Sequence, residues 1–316
     1  MSRVAAIDCG TNSIRLLIAD ATTADGGVTL RDVHRETRIV RLGQGVDATG
    51  RLAPEALDRT RMALVDYAGV LARTGTERVR MVATSATRDA GNREDFFTMV
   101  RSTLGVDAEV VSGDEEATLS FVGAVGELDA DDGPFVVVDV GGGSTEVVLG
   151  ALEDGQATVH AARSVDVGSV RLTERCLPGD PPDPAEIAKA REVTAGILAD
   201  AFAAVPVEEV CTWVGVAGTI TTLAAVAQDL PEYDPDAVHL FRISRAELHR
   251  VAGELLTMSR AERSRHGAIH PGRIDVIGGG ALVVEALAEE LHARAGVEEM
   301  VVSEHDILDG IARSIA

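Results

Sequence analysis

Two segments of this chain repeat one pattern, and that repeat constrains the fold more than any other feature. Residues 4–18 read VAAIDCGTNSIRLLI and residues 135–149 read FVVVDVGGGSTEVVL, so the two align without a gap. Each has an apolar run, an aspartate, a short turn of small residues and a second apolar run. Such runs predict buried strands, and the small residues between them predict a tight hairpin turn. Asp8 and Asp139 are thereby placed at the end of the first strand of each hairpin.

The two predicted turns have the composition of an anion site. Successive backbone amides in such turns form a concave nest for anions, and a carboxylate beside them can hold a divalent cation that bridges to phosphate oxygens. One turn of this kind is usually only structural. Two facing copies indicate a phosphate clamp, the alternative being an internal duplication whose turns are merely structural. The predicted substrate-binding residues of the clamp are Gly10, Thr11, Asn12, Ser13, Gly141, Gly142, Gly143, Ser144 and Thr145.

Asp8 and Asp139 are the predicted metal ligands beside these turns. Because Mg²⁺ keeps part of its water shell, we expect the contact to pass through water. The alternative for both residues is an aspartate that only stabilises its turn.

Composition excludes several classes of function. The 316 residues carry a formal net charge of −22 and only 3% aromatic residues, which disfavours nucleic acid and anionic membranes as partners. Three widely spaced cysteines, Cys9, Cys176 and Cys211, suit a reducing cytoplasm better than a disulfide framework. The uncharged window 210–228 is long enough for a membrane span, but its four threonines and two glycines predict a buried strand, turn and helix instead.

Predicted helices and strands alternate along the rest of the chain. An apolar stripe of helical period predicts a helix over 54–74, and further helices are predicted over 95–104 and 113–125. Strands are predicted over 78–84 and 108–112, and capping boxes are predicted to begin helices at Asp183, Ser244 and Ser259. The pattern predicts a two-lobed α/β architecture with the site between the lobes. Residues 1–125 form the first predicted lobe and 126–299 the second, and the strand and helix of 300–316 are candidates to return to the first.

Five blocks of the sequence resemble the signature motifs of one known family. They are residues 8–17 (DCGTNSIRLL), 83–92 (ATSATRDAGN), 112–117 (SGDEEA), 138–146 (VDVGGGSTE) and 215–219 (GVAGT). In this order they resemble the exopolyphosphatase and guanosine pentaphosphate phosphohydrolase (Ppx/GppA) family. The resemblance implies the actin-like ATPase fold of sugar kinases and heat-shock chaperones, with a ribonuclease-H-like core in each lobe. The tail differs, because many members have Leu-Arg-Glu-Gly where this chain has Leu308, Asp309 and Gly310.

The resemblance also implies roles for individual residues. Glu116 takes the place of the family's general base, whereas on the residues alone a carboxylate at a helix start more simply complements the helix dipole. The hairpin alignment, and not the resemblance, places Glu146 near the clamp at the position where the first hairpin has Arg15. Glu146 is therefore expected to hold the water or the metal, with an exposed strand residue as the alternative. Arg88 is expected to bind phosphate through its guanidinium group. Gly218 and Thr219 are expected to begin a helix whose N-terminus contacts substrate, or to form only a close turn.

These residues predict hydrolysis of the terminal phosphate of inorganic polyphosphate, with Mg²⁺ or Mn²⁺ as cofactor. Guanosine pentaphosphate (pppGpp) is the second expected substrate. An ATP-dependent small-molecule kinase and a non-catalytic polyphosphate sensor are the alternatives from other classes. The histidines show no pair at metal-binding spacing, so they receive no role. A cytoplasmic enzyme is expected, and its oligomeric state stays open, a homodimer included.

Overall fold

Both halves of the chain form a sheet with the same strand order. The computed structural model describes residues 2–24 and 27–316. The strands, β1 to β11 in chain order, are Ser2–Cys9, Ser13–Ala24, Gly27–Ile39, Arg78–Ala83, Ala108–Val110, Phe135–Val140, Thr145–Glu153, Gln156–Val165, Thr212–Val216, Arg242–Ser244 and Glu299–Val302. The first sheet has the order β3-β2-β1-β4-β5 and the second β8-β7-β6-β9-β11-β10. The duplication therefore extends from the two hairpins to five strands of each sheet.

The helices connect these strands and cover the sheets. In chain order, α1 to α13 are Val46–Thr49, Pro54–Thr74, Ser85–Asp89, Arg93–Leu104, Gly113–Ala124, Ser169–Cys176, Pro184–Ala204, Ala217–Ala227, Pro235–Val238, Arg245–Thr257, Arg260–Arg263, Ile277–Ala295 and Ile307–Ser314. The predicted helix over 54–74 is confirmed as α2. It begins at Pro54, which has no backbone N–H and therefore leaves no donor unpaired at that position. It ends before Gly75, which adopts a left-handed conformation.

Two of the three predicted capping boxes are present. Asp183 and Ser259 each exchange both reciprocal hydrogen bonds with the glutamate three residues later. The prediction of a complete box at Ser244 is wrong, although its hydroxyl accepts a hydrogen bond from the backbone N–H of Glu247. The carboxylate of Glu247 instead pairs with the guanidinium of Arg250, one turn further along the helix.

The predicted buried hairpins are confirmed as β1-β2 and β6-β7. Each first strand pairs antiparallel with its hairpin partner and parallel with a later strand, β4 or β9, so it lies inside its sheet. The window 210–228 forms β9 and α8, and no helix among the described residues is long and apolar enough to cross a membrane. The third strands β3 and β8 carried no apolar run that would have predicted them, because most of their residues are partly or fully exposed.

Helices α5 and α13 form the layer between the two sheets. Leu119 of α5 and Ile311 of α13 pack on the face of the first sheet that carries Val4 and Leu17. On its other side, α5 packs Phe121 against the second sheet. The C-terminal segment is therefore divided: β11 pairs with β9 in the second sheet, whereas α13 packs against the first. The expected return of the strand to the first lobe is corrected, because β11 lies within the second sheet between β9 and β10. The lobe boundaries at 125 and 299 stay a prediction.

The contact between α5 and α13 should tolerate no side chain at Gly310. A Cβ atom there would overlap the backbone carbonyl of Leu119, which cannot move without breaking α5. We expect Gly310→Ala to lower the free energy of unfolding by roughly 1–3 kcal/mol. Gly253→Ala in α10 is the matched control, because no atom lies within 4 Å of the added methyl group. It should raise stability by about 0.5–1 kcal/mol through helix propensity. Urea unfolding of both variants checks this, and equal effects would contradict the tight crossing.

Candidate active site

A cavity of about 80 Å³ lies between the two hairpin turns. Most of the predicted site residues line it. These are Asp8, Gly10, Thr11, Asn12, Ser13, Glu116, Asp139, Gly141, Gly142, Gly143, Ser144, Gly218 and Thr219. We call it the phosphate cavity. Three predicted residues, Arg88, Thr145 and Glu146, do not line it.

The two turns contact each other across this cavity. Each is closed by one backbone hydrogen bond, from the N–H of Gly10 to the carbonyl of Ser13 (2.9 Å) and from the N–H of Gly141 to the carbonyl of Ser144 (3.1 Å). The Cβ atom of Thr11 approaches Gly142 so closely that a Cβ atom added there would lie 3.0 Å from it. The small residues of the turns thus let the two lobes bring their backbone amides to one place, as an anion clamp requires.

Asp8 has one oxygen committed and one free. Its Oδ2 accepts hydrogen bonds from Nη2 (2.7 Å) and Nε (3.0 Å) of Arg15, the residue opposite it in the hairpin. Its Oδ1 is buried and has no hydrogen-bond partner among the residues that the structure describes. Burial raises the pKa of Asp8, against the opposing effect of Arg15. A buried carboxylate oxygen with no donor beside it fits a cation.

Asp139 holds the equivalent position in the second hairpin. Its Oδ2 accepts a hydrogen bond from the hydroxyl of Ser120 on α5. Burial, followed by the negative charge of Asp306, raises the pKa of Asp139 to about 6. A cation close to Asp8 and Asp139 would offset both the burial and the mutual repulsion.

The donor set around the cavity suits a hard cation that keeps other ligands. Among residues 2–24 and 27–316, no three carboxylate, histidine or cysteine donors at this cavity lie within 4.8 Å of one another. An all-protein cage is therefore absent from the described part of the chain. Mg²⁺ is commonly bound through one or two carboxylates, waters and substrate phosphates. Asp8 and Asp139 fit that kind of site.

Glu116 and Glu115 point to opposite environments, although they are adjacent on the first turn of α5. Glu116 is 7% exposed and lines the phosphate cavity. Glu115 is exposed, and its Oε1 lies 2.7 Å from Nη2 of Arg80 on the outer surface. Burial raises the pKa of Glu116 to about 7, against the opposing charge of Arg88. A carboxylate with this pKa can accept a proton near neutral pH.

Arg88 and Thr145 act behind the cavity wall. Nη1 of Arg88 donates to Oε2 of Glu116 (2.9 Å) and to the carbonyl of Val111 (3.1 Å), so its charge holds Glu116 in place. The hydroxyl of Thr145 donates to the carbonyl of Val167 (2.6 Å). The expected contacts of Arg88 and Thr145 with substrate stay predictions, and neither residue lines the phosphate cavity.

Glu146 also lies behind the wall. Its Oε1 accepts a hydrogen bond from the hydroxyl of Ser164 (2.7 Å), and its side chain is almost completely buried. Burial, then the nearby charges of Glu116 and Asp139, raises the pKa of Glu146 well above its ordinary value. Its expected catalytic and metal-binding roles stay predictions. The alternative of an exposed strand residue is wrong, because β7 lies inside the second sheet.

Two arginines at the cavity received no role from the sequence. Arg15 is the counterpart of Glu146 in the hairpin alignment. Arg273 lies in a short 3₁₀ turn with its guanidinium against Gly218. It forms no salt bridge within residues 2–24 and 27–316, and burial lowers its pKa. A partly buried arginine without a salt bridge to a carboxylate of the described residues, at a phosphate-sized cavity, is a candidate anion ligand. Because Arg273 is far from both hairpins in the sequence, no local pattern predicts that it lies at this cavity.

Two histidines that show no metal-binding spacing in the sequence lie together in the structure. The ligand atoms of Glu127, His239 and His305 lie within 4.8 Å of one another, away from the phosphate cavity. Nδ1 of His239 accepts a hydrogen bond from the N–H of Glu304 (3.2 Å), so its other nitrogen carries the proton and donates to Glu127 (3.1 Å). That arrangement is a hydrogen-bonded cluster and leaves His239 no lone pair for a metal. Spacing in sequence missed it because its members come from three separate segments.

This chain is similar to several known proteins. Residues 18–315 match the sequence model of the Ppx/GppA phosphatase family. Exopolyphosphatase 2 of Mycobacterium tuberculosis is 58% identical over 321 aligned positions, which cover 100% of this chain and 99% of that protein. An exopolyphosphatase-like protein of known crystal structure superposes with a TM-score of 0.94 at 44% identity, covering 100% and 98% of the two chains. The Aquifex aeolicus PPX-GPPA enzyme superposes with a TM-score of 0.78 at 32% identity, covering 99% of each. The predicted two-lobed, actin-like α/β fold is thereby confirmed.

The buried carboxylates should make the folded protein less stable as the pH rises. Because the folded-state pKa of Glu146 lies above its unfolded value of 4.5, its stabilising contribution is complete below pH 4.5 and is lost as the pH rises through the folded pKa. We expect Glu146→Gln to raise Tm more at pH 8 than at pH 5. Glu153→Gln, at the exposed end of the same strand, is the control and should show no such difference. Thermal unfolding of both variants at the two pH values measures this, and a gain independent of pH would refute the electrostatic cause.

Proposed function

This chain belongs to the Ppx/GppA phosphatase family, and we propose that it is an exopolyphosphatase that hydrolyses the terminal phosphate of inorganic polyphosphate. The observation that carries the proposal is that both glycine-rich turns and the carboxylate of Glu116 face one small cavity. The name of the Mycobacterium tuberculosis relative supports polyphosphate as the substrate.

The terminal phosphate would bind between the two turns. Their backbone N–H groups donate to its oxygens, and Arg273 stands where it can contact the next phosphate along the chain. Hydrolysis of a phosphoanhydride depends almost entirely on positioning and on stabilising charge, so preorganised amides supply much of what is needed. The formal net charge of −22 repels a bound polyanion only weakly, because salt at 0.1 M ionic strength screens exposed charges that lie more than about 10 Å from the substrate.

Glu116 is the proposed general base. It removes a proton from a water molecule whose oxygen attacks the terminal phosphorus, while the anhydride P–O bond breaks and the shortened chain leaves with the bridging oxygen. Its pKa of about 7 is suited to this transfer near neutral pH. Arg88, bonded to Glu116, is proposed to position it rather than to touch substrate.

Family membership is consistent with dependence on a divalent metal, and we propose Mg²⁺ or Mn²⁺ held by Asp8 and Asp139. The free Oδ1 of Asp8 and the raised pKa of Asp139 support this placement. Such an ion would supply positive charge that stabilises the negative charge of the phosphate groups. Glu146, whose carboxylate is bonded to Ser164, is proposed to support the site from behind.

Guanosine pentaphosphate is the second candidate substrate. A larger cavity of about 310 Å³ adjoins the phosphate cavity, shares Arg15, Ala217, Gly218 and Arg273 with it, and is also lined by Tyr233 and His270. That space can receive a nucleoside whose phosphates lie in the clamp. A small-molecule kinase on this fold would leave Glu116 without a purpose.

Phosphate release from a panel of substrates tests the proposal. Long-chain polyphosphate, tripolyphosphate, pppGpp, and ATP with sugar or acetate acceptors are compared with Mg²⁺, with Mn²⁺ and with excess chelator. We expect turnover of polyphosphate that chelator abolishes and either cation restores. Full activity in chelator would exclude the metal, phosphate transfer from ATP to an acceptor would favour a kinase, and tight polyphosphate binding without turnover would favour a sensor.

Replacing Glu116 should separate catalysis from binding. We expect Glu116→Gln to lower kcat by roughly 10²- to 10⁴-fold, because the neutral amide cannot accept the proton. The Kd for polyphosphate should stay equal or fall, since a negative charge is removed beside a polyanion. Glu115→Gln is the matched control, one residue away but directed at Arg80, and should keep nearly full activity. If Glu115→Gln lost activity and Glu116→Gln kept it, the general base would be Glu115 and the proposed assignment would be wrong.

A further inference from the structure

Arg15 is held between two buried aspartates from opposite ends of the chain. Its Nη2 and Nε donate to Asp8, and its Nη1 donates to Oδ2 of Asp306, the residue that caps α13. The other carboxylate oxygen of Asp306 accepts a hydrogen bond from the backbone N–H of Leu308 (3.0 Å). Asp8 and Asp306 are 4% and 3% exposed, so the positive charge of Arg15 is more than balanced by its two partners.

This ion triad stands at the junction of the two cavities. Arg15 lines both the phosphate cavity and the 310 Å³ cavity beside it, and Asp306 lines the second. A phosphate chain that extends from the clamp into the second cavity therefore passes this group. Arg15 has no spare charge to offer it, because both of its aspartate partners are already in contact.

The second cavity is otherwise poor in free positive charge. Arg35 on its wall is bound to Asp309 (2.6 Å) and Asp32 (2.8 Å). Glu304 adds a further carboxylate to the lining. Of the three arginines that line it, only Arg273 forms no salt bridge within the described ranges 2–24 and 27–316. The junction can thus favour one phosphate beyond the clamp and oppose a longer run.

We propose that Asp306 is a specificity-determining residue, which withholds Arg15 from the substrate and so restricts the enzyme to short phosphate chains. The inference rests on the proposed function. It assigns Asp306 a contact with the substrate path rather than a part in the chemical step. It also bears on the divergent C-terminal segment, because Asp306 caps the helix that contains Leu308, Asp309 and Gly310.

The wild-type protein provides the first test. The kcat/KM per chain end for long-chain polyphosphate should not exceed that for tripolyphosphate, which has only two phosphates beyond the terminal one. A preference of about tenfold or more for the long chain would overturn the proposal, because the like charge of Asp306 should cost at least that factor.

Removing the charge provides the second test. Asp306→Asn and Asp306→Ser both keep a capping oxygen for α13. Each should lower KM for long-chain polyphosphate by about tenfold or more relative to KM for tripolyphosphate in the same variant. Asp306→Glu keeps the negative charge and should therefore retain the wild-type ratio of the two KM values. Asp20→Asn is the matched control, because Asp20 is also buried and holds Arg3 (2.8 Å) and Arg31 (2.6 Å), at the opposite end of the same hairpin.

The outcomes separate this inference from the function it rests on. If no phosphoanhydride is hydrolysed by the wild-type protein, the proposed function itself fails. If polyphosphate is hydrolysed but the ratio of KM values is unchanged in both Asp306 variants, Asp306 is only a helix cap and the inference fails alone. An equal change in Asp20→Asn would show an effect of net charge and would also refute it. If neither variant folds, the wild-type chain-length ratio decides.

Discussion

The close crossing of α5 and α13 is the constraint on which the site depends. Gly123 and Gly310 let the two backbones meet between the sheets, where a Cβ atom on either glycine would overlap the other helix. Helix α5 carries Glu116 and Ser120, and α13 begins at Asp306. One packing contact thereby positions the proposed base, the donor to Asp139 and the partner of Arg15. Residues from both hairpins are held in register because the first sheet packs on α13 and α5, and the second sheet packs on the other side of α5.

The site concentrates buried negative charge and holds it with few positive partners. Asp8 and Asp306 share Arg15, Glu116 has Arg88, and Asp139 and Glu146 have only serine hydroxyls. Burial then leaves carboxylates with raised pKa values, which disfavours their charged forms. The same arrangement supplies a base near neutral pH and a preference for a cation beside the substrate. These buried carboxylates therefore lower the free energy of unfolding at the place where the proposed function needs them.

Contacts across the cleft are mainly ionic. Arg171 of the second lobe contacts Asp47 (3.3 Å) and Asp89 of the first, Arg175 contacts Asp47 (2.6 Å), and Arg41 contacts Asp275 (2.8 Å). Half-exposed pairs of this kind each contribute about 0–1 kcal/mol. The tight, apolar part of the lobe junction is the α5 and α13 layer, so the rigid side of the cleft lies there.

The sequence by itself determined the two hairpins, the alternation of elements and the place of the proposed phosphate clamp. These features are local: apolar runs, small turn residues and helix caps act within a few positions. Tertiary structure decided which neighbouring carboxylate, Glu115 or Glu116, faces the cavity, because adjacent helical residues differ only in direction. It also turned Arg88, Thr145 and Glu146 away from the lining, and brought Arg273 and Asp306 to it from the far end of the chain. No local pattern carries that information, since contacts between distant residues arise only when the sheets and the two crossing helices pack together.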